Sequence, residues 1–234
     1  MASSYFIKYF NYFKKYVVLI GLFSFNPLIF AGSYEDFFKA IQHDEVKVVS
    51  SLLSRGFDPN TVNMTAEPAV LYALRSGSLK SFEALVKHPN VRLNVRNAHN
   101  ESALMLVCLK GHVPLAKLLI SRHADVNHPG WTPLHYAATG GHLEIMKALL
   151  EESAYIDAES PNGTTPLMMA ARYGSAKAVQ LLIDEGADLK LQNQLGLNAL
   201  DFARQGSRPD AIAILQKVLG LNDTEQPISQ SAKP

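Results

Sequence analysis

The chain has 234 residues, 47% hydrophobic and 18% charged, which supplies a sizeable core and argues against wholesale disorder. Its formal charge of +1 is unevenly placed: residues 1–31 hold Lys8, Lys14 and Lys15 and no acid, which leaves 19 basic against 21 acidic residues beyond them. That balance gives no electrostatic footing for nucleic acid, and a single cysteine, Cys108, excludes an intramolecular disulfide or a Cys-based zinc site.

Residues 1–31 are expected to be a secretory signal peptide. The three lysines precede an apolar run of ten residues, Tyr16 to Phe25, and small residues follow at Ala31-Gly32-Ser33. Such a run falls well short of the ~20 residues that span a bilayer as a helix. Pro27 is expected to break the helix just before the cut. The processed protein is then periplasmic or secreted, with no stable membrane insertion.

The rest of the chain repeats. Trp131-Thr132-Pro133-Leu134-His135-Tyr136-Ala137-Ala138 aligns with Thr164-Thr165-Pro166-Leu167-Met168-Met169-Ala170-Ala171 at a spacing of 33. Another 33 reaches Leu200, and counting back gives Leu104 (30 before Leu134), Val70 (34 before Leu104) and Phe37 (33 before Val70). Nineteen residues after an anchor, a glycine falls at Gly56 and again at Gly186. Thr132 and Thr165 suit the N-cap of a first helix, with Pro133 and Pro166 in its first turn. Gly111, Gly141 and Gly174 are expected to end that helix in the left-handed conformation. A second helix has apolar residues at helical spacing: Ile145, Ala148 and Leu149, then Val179, Leu182 and Ile183. One such unit cannot bury its apolar face alone, so neighbours must stack.

These features resemble the ankyrin repeat: the Thr132-Pro133-Leu134-His135 signature, Gly141-His142 between helices, aliphatic triplets such as Leu181-Leu182-Ile183, and Gly186-Ala187-Asp188. The resemblance implies an all-α repeat solenoid of about six helix–turn–helix units with hairpin loops. An N-terminal capping repeat is expected over 33–63. Repeats follow over 64–97, 98–127, 128–159 and 160–192, then a C-terminal capping repeat over 193–220 and a disordered tail over 221–234. It also implies that His112, His135 and His142 hydrogen-bond neighbouring loops. Cys108 aligns with Ala138 and Ala171 and is expected to be a buried, inert thiol.

No phosphate-binding glycine loop, zinc-protease helix or nucleophile elbow is present, so no catalytic residue, cofactor or metal site is assigned. His123 and His128 flank one turn, but no third ligand stands at convincing spacing. In ankyrin-like stacks the hairpin tips and first-helix ends line a concave groove. Carried onto this chain, the groove holds Arg75, His99, Glu101, Lys110, His128, Trp131, Arg172 and Tyr173, together with Glu67 and Gln205. Trp131, Tyr173 and Arg172 are expected at its centre, with Lys110 and His128 at its edge. The step between Leu104 and Leu134 lacks three residues, closed by His128-Pro129-Gly130-Trp131, where Pro then Gly suits a type II turn. The loop around His88-Pro89-Asn90 is instead one residue longer.

The expectation is an exported, monomeric bacterial protein that binds another protein through this groove. Rival roles are a periplasmic immunity or inhibitor protein, an accessory factor of a peroxide-handling enzyme, and a histidine-based metal carrier or enzyme. Intact mass of the exported protein is expected to correspond to a chain beginning near Gly32; a full-length, membrane-bound product would contradict it.

Overall fold

A computed structural model describes residues 27–221. Most of the expected signal peptide, and the tail after Leu221, lie outside the described residues. Two compact units divide at Asp36/Phe37, and the repeat stack lies in the second, Phe37–Pro234. Among the described residues there are twelve helices and no strand, only isolated bridges at Val62/Pro68 and Arg96/Ser102. The helices fall in six pairs: α1 (Pro27–Gln42) and α2 (Val46–Ser54), α3 (Ala69–Arg75) and α4 (Leu79–Lys87), α5 (Ala103–Lys110) and α6 (Val113–Ser121), α7 (Pro133–Gly140) and α8 (Leu143–Glu151), α9 (Pro166–Arg172) and α10 (Ala176–Asp184), α11 (Ala199–Gln205) and α12 (Pro209–Leu219). The first member of each pair is called inner here, the second outer. Pro27 stands at the first position of α1, where its missing N–H costs nothing, and α1 runs on through Ala31 and Gly32. No described helix is long and apolar enough to cross a membrane.

The six sequence anchors Phe37, Val70, Leu104, Leu134, Leu167 and Leu200 are all buried, at 4% exposure or less. Inner helices α5, α7, α9 and α11 pack face to face in chain order, and outer helices follow the same order. Small residues permit this closeness: Ala137, Ala138, Ala170, Ala171 and Ala203 are all within 1% of fully buried. The inner helices α7 and α9 start directly after Thr132 and Thr165, as expected. The Thr165 hydroxyl accepts the Met168 N–H at 3.4 Å, and Pro166 fills the first helical position.

Gly111 and Gly141 end α5 and α7 with φ of 72° and 67°, in the left-handed region. Gly174 departs from that expectation. It has no positive φ; Tyr173 ends α9 in right-handed geometry, and Ser175 caps α10 through its hydroxyl. The physical reason for glycine is space, since a Cβ there would stand 2.3 Å from the Ala138 carbonyl oxygen of the preceding repeat.

The apolar stripe of the outer helices also shifts from the sequence reading. α8 buries Ile145, Met146 and Leu149, leaving Ala148 half-buried, and α10 buries Ala178, Val179 and Leu182, leaving Ile183 half-buried. An outer helix packs on its own inner helix and on two neighbours, so its buried face is wider than one line of side chains.

A ladder of polar side chains joins the repeats at their outer-helix loops. Asn60, Asn94 and Asn127 accept the backbone N–H of Arg92, Asp125 and Tyr155 at 2.7, 3.0 and 2.9 Å. Asp157 accepts that of Asp188 at 3.1 Å. Each bond satisfies a loop amide that no helix pairs, and each spans one repeat.

His135 makes a second inter-repeat link. It is fully buried, and its Nε2 lies 2.9 Å from the Thr164 carbonyl oxygen. A carbonyl only accepts, so Nε2 carries the proton. Nδ1 then accepts from the Thr132 N–H at 3.1 Å and faces the Thr132 hydroxyl at 2.9 Å. Burial pulls the imidazole down to about 4, against the opposing pull of the Thr164 bond. His142 likewise reaches the Leu109 carbonyl at 3.1 Å, whereas His112 makes no such side-chain bond among the described residues.

Two outcomes are expected. Leu149, fully buried in α8, should cost ~2–5 kcal/mol when cut to alanine, while Cys108→Ala should cost ~0.5–1.5 kcal/mol, the range for one methyl-sized group. Denaturant titration reads both. The buried neutral imidazole of His135 makes stability fall with acid. The unfolded chain takes up the proton near pH 6.5 and the folded chain only near 4, so the loss develops across that window and then levels off. It amounts to roughly 3 kcal/mol, and His135→Gln should flatten that part of the profile of denaturation midpoint against pH.

Candidate functional site

Four hairpins are closed by a polar side chain seven residues before the anchor. Asn63 Oδ1 accepts the N–H groups of Thr65 and Glu67 at 3.0 and 2.9 Å. Asn97 does the same for His99 and Glu101, and Asn193 for Leu195 and Leu197. Ser160 accepts the Thr164 N–H at 3.0 Å. Three residues on, the chain turns through positive φ at Ala66, Asn100, Gly163 and Gly196. In the shortened hairpin Gly130 takes that role at φ 87°, as the Pro129-Gly130 pair implies.

Contacts place side chains three before, two after and five after the anchor of the second repeat on one face. Arg75, five after its anchor, grips Glu67, three before it, with Nη2–Oε2 at 2.8 Å and Nε–Oε1 at 2.9 Å. Its guanidinium lies 5.1 Å from the ring centre of Tyr72, two after the anchor. The bond to Glu67 raises the Arg75 pKa. The Arg75 side chain is largely exposed while that of Glu67 is mostly covered, so solvent screens the pair from one side. Tyr136 Oη donates to Glu101 Oε1 across a repeat boundary at 3.0 Å, and Asn97 Nδ2 holds Oε2 at 2.7 Å. Burial and then the Glu101 carboxylate push the Tyr136 phenol well above its ordinary range. Arg172 donates to Gln205 Oε1 at 2.9 Å and stands 5.1 Å over Tyr173 and 6.0 Å over Phe202.

The expected site residues therefore divide. Arg75, Glu101, Arg172 and Tyr173 are each held in a defined contact on this face. Lys110 and His99 are exposed, at the end of α5 and at a hairpin tip. His128 is half-buried, and its Nδ1 has no hydrogen-bond partner among the described residues. Trp131 is half-buried and sets its ring edge-on to His135 of its own repeat, with centroids 5.1 Å apart. Among the described residues Trp131 and Tyr173 make no ring contact with each other; Tyr173, 51% exposed, lies under Arg172 instead.

Sequence reasoning missed Tyr72, Leu106, Tyr136 and Met169, all two residues after an anchor, and Leu109, five after. The signal was available as a fixed offset, since these positions recur beside the buried signature. Among the described residues no group of three or more His, Cys, Asp or Glu stands together as a metal site. Burial pushes the Cys108 thiol pKa far up, as befits an inert core residue.

Comparison with known proteins agrees with this geometry. A model described as ankyrin repeats (3 copies) matches residues 70–160, and one described as ankyrin repeats (many copies) matches 154–203. The chain is 32% identical over 109 residues to mouse ankyrin repeat and SAM domain-containing protein 6, covering 45% of this chain but only 12% of that protein. It is 34% identical over 89 residues to the Notch-regulated ankyrin repeat-containing protein of Xenopus tropicalis, covering 36% of this chain and 78% of that one. It also resembles a chain in the solved complex of a predatory endopeptidase from Bdellovibrio bacteriovorus with an immunity protein. There the TM-score is 0.67 and the identity 27%, over 78% of this chain and 97% of that chain. The two models together span more than half of the sequence, so the chain belongs to the ankyrin-repeat family.

Proposed function

We propose that this protein works outside the cytoplasm by binding a partner protein on the face formed by its hairpins and inner helices, and that it is not an enzyme. The observation that carries the reading is the row of Tyr72, Leu106, Leu109, Tyr136, Met169 and Tyr173 on that face. All are exposed or half-buried and none belongs to the core. Aromatic and apolar side chains held by neighbouring arginines are the usual energetic anchors of an interface. The signal-peptide layout of residues 1–31 supports export.

A narrower reading is inhibition of, or immunity to, a peptidase. It is favoured by the likeness to a chain of the endopeptidase–immunity protein complex, which extends along nearly that whole chain. The fold alone does not choose between these roles.

Capture of partners from a periplasmic or extracellular fraction, followed by affinity measurement, tests the site. Tyr173→Ala and Trp131→Ala, checked for unchanged folding, are expected to weaken binding by ~2 kcal/mol or more if they anchor the partner. Lys147→Glu, on the exposed side of α8, is expected to leave affinity unchanged. Wild-type binding by both aromatic variants, together with loss in Lys147→Glu, would place the interface on the outer helices instead.

A further inference from the structure

The hairpin over residues 97–101 is held differently from those of the last two repeats. There the hairpins join backbone to backbone. The Gln194 N–H donates to the Asn162 carbonyl at 3.0 Å, and Gln194 Nε2 to the Pro161 carbonyl at 2.9 Å. A Cβ on Gly163 would stand 3.2 Å from Asn193 Cα, so the two loops touch. The hairpin over 97–101 has no such neighbour, because the next one is shortened. Among the described residues no hydrogen bond joins residues 128–131 to residues 97–101. The shortened loop approaches the fifth repeat instead, where a Cβ on Gly130 would lie 3.5 Å from Pro161.

Locally, the hairpin is closed by its own chain. Asn97 Oδ1 accepts the His99 and Glu101 N–H groups, and Arg96 Nη1 donates to the Asn100 carbonyl at 3.3 Å. Its link to a neighbouring repeat is the Tyr136 hydroxyl, which donates to Glu101 Oε1, while Asn97 Nδ2 holds Oε2. Among the described residues no other hydrogen bond reaches 97–101 from a neighbouring repeat. The sequence shows why the donor comes from there. Glu67, three before its anchor, is gripped by Arg75, five after it, whereas the residue five after Leu104 is Leu109, which has no donor to offer Glu101. Tyr136 stands where the flanking repeats carry Leu106 and Met169, neither of which can donate. Burial keeps its phenol protonated well above the ordinary range, so the donor persists at neutral and mildly alkaline pH.

We propose that Tyr136 is a positioning residue of the binding face: from the inner helix of the fourth repeat it fixes the hairpin over 97–101, so that the exposed tip at His99 meets the partner protein already ordered. The proposal rests on the groove reading for what the tip meets, and on the Tyr136–Glu101–Asn97 chain of bonds for how the tip is held. Ordering a loop before contact removes a cost that binding would otherwise carry.

The test is amide hydrogen exchange on the full processed chain, free of partner. In Tyr136→Phe, which keeps the ring and loses the hydroxyl, the His99 and Glu101 amides are expected to exchange at least about tenfold faster, as loss of a bond to a carboxylate implies. The Leu195 and Leu197 amides, bound alike by Asn193, should keep their rates. Glu101→Ala should also speed exchange at 99 and 101, and adding Tyr136→Phe to it should change nothing more. Affinity for the partner captured as above should fall about two- to tenfold in Tyr136→Phe. Wild-type exchange at 99 and 101, an equal rise at 195 and 197, or wild-type affinity in Tyr136→Phe overturns the proposal and leaves the groove reading standing. Wild-type binding by Tyr173→Ala and Trp131→Ala, with loss in Lys147→Glu, overturns both.

Discussion

The close approach of successive inner helices is the constraint on which the rest of the molecule depends. At Gly174 the backbone of one repeat passes so near the Ala138 carbonyl of the previous one that a Cβ would stand 2.3 Å away, and Gly206 has the same relation to the Arg172 carbonyl at 2.5 Å. Such contact is possible only where the approaching residue is glycine, since any Cβ would collide with the facing carbonyl. It fixes the register between repeats to within a fraction of a side chain. Once that register is fixed, the positions around each anchor sort themselves. Anchor leucines point into the stack, and the residues three before, two after and five after the anchor reach the open face in the second repeat, whereas Thr164 and Phe202 at these offsets are buried.

Polar links then hold the register without adding to the core. The ladder from Asn60 to Asp157 binds the outer-helix loops, and the His135 bond to Thr164 ties one hairpin to the next. These groups are costly to bury unpaired, so each also penalises a slipped arrangement. Hydrophobic stacking supplies the energy, and the amide and imidazole contacts select one alignment out of several that would bury similar area.

Much of this was legible in the sequence because the constraint repeats. Six anchors at steps of 30 to 34, with the resemblance they carry, gave the fold class, two inner-helix starts at Thr132 and Thr165, and the buried thiol. Less was legible where one backbone geometry is served by different residues. Nineteen residues after the anchor, Gly56 and Gly186 turn through positive φ, yet His123 and Ser153 do so at the same register with φ near 60°. Glycine marks that turn without being required for it. Gly174 shows the converse, a glycine at a signature position kept for space instead of handedness. The ladder was hidden for a related reason: Asp157 replaces the Asn of the three earlier rungs, and the longer loop at His88-Pro89-Asn90 displaces it by one. Of the candidate site, the cations and Tyr173 were reachable from the repeat. Tyr136 and its bond to Glu101 were not, because that contact joins two repeats and belongs to neither motif.

The shortened hairpin shows which parts of a loop the stack itself requires. Between the ladder residue Asn127 and the turn residue Gly130 stand only His128 and Pro129, where the next repeat places residues 158–162 between Asp157 and Gly163. Both flanking roles survive the loss: Asn127 still accepts the Tyr155 N–H, and Gly130 still turns through positive φ. What is lost is the turn-closing side chain that Asn63, Asn97, Ser160 and Asn193 supply elsewhere, together with the tip it supports. A proline with its fixed φ takes over that stiffening. The shorter loop therefore dispenses with the turn-closing residue while keeping the Asn127 link to Tyr155 and the positive-φ turn at Gly130.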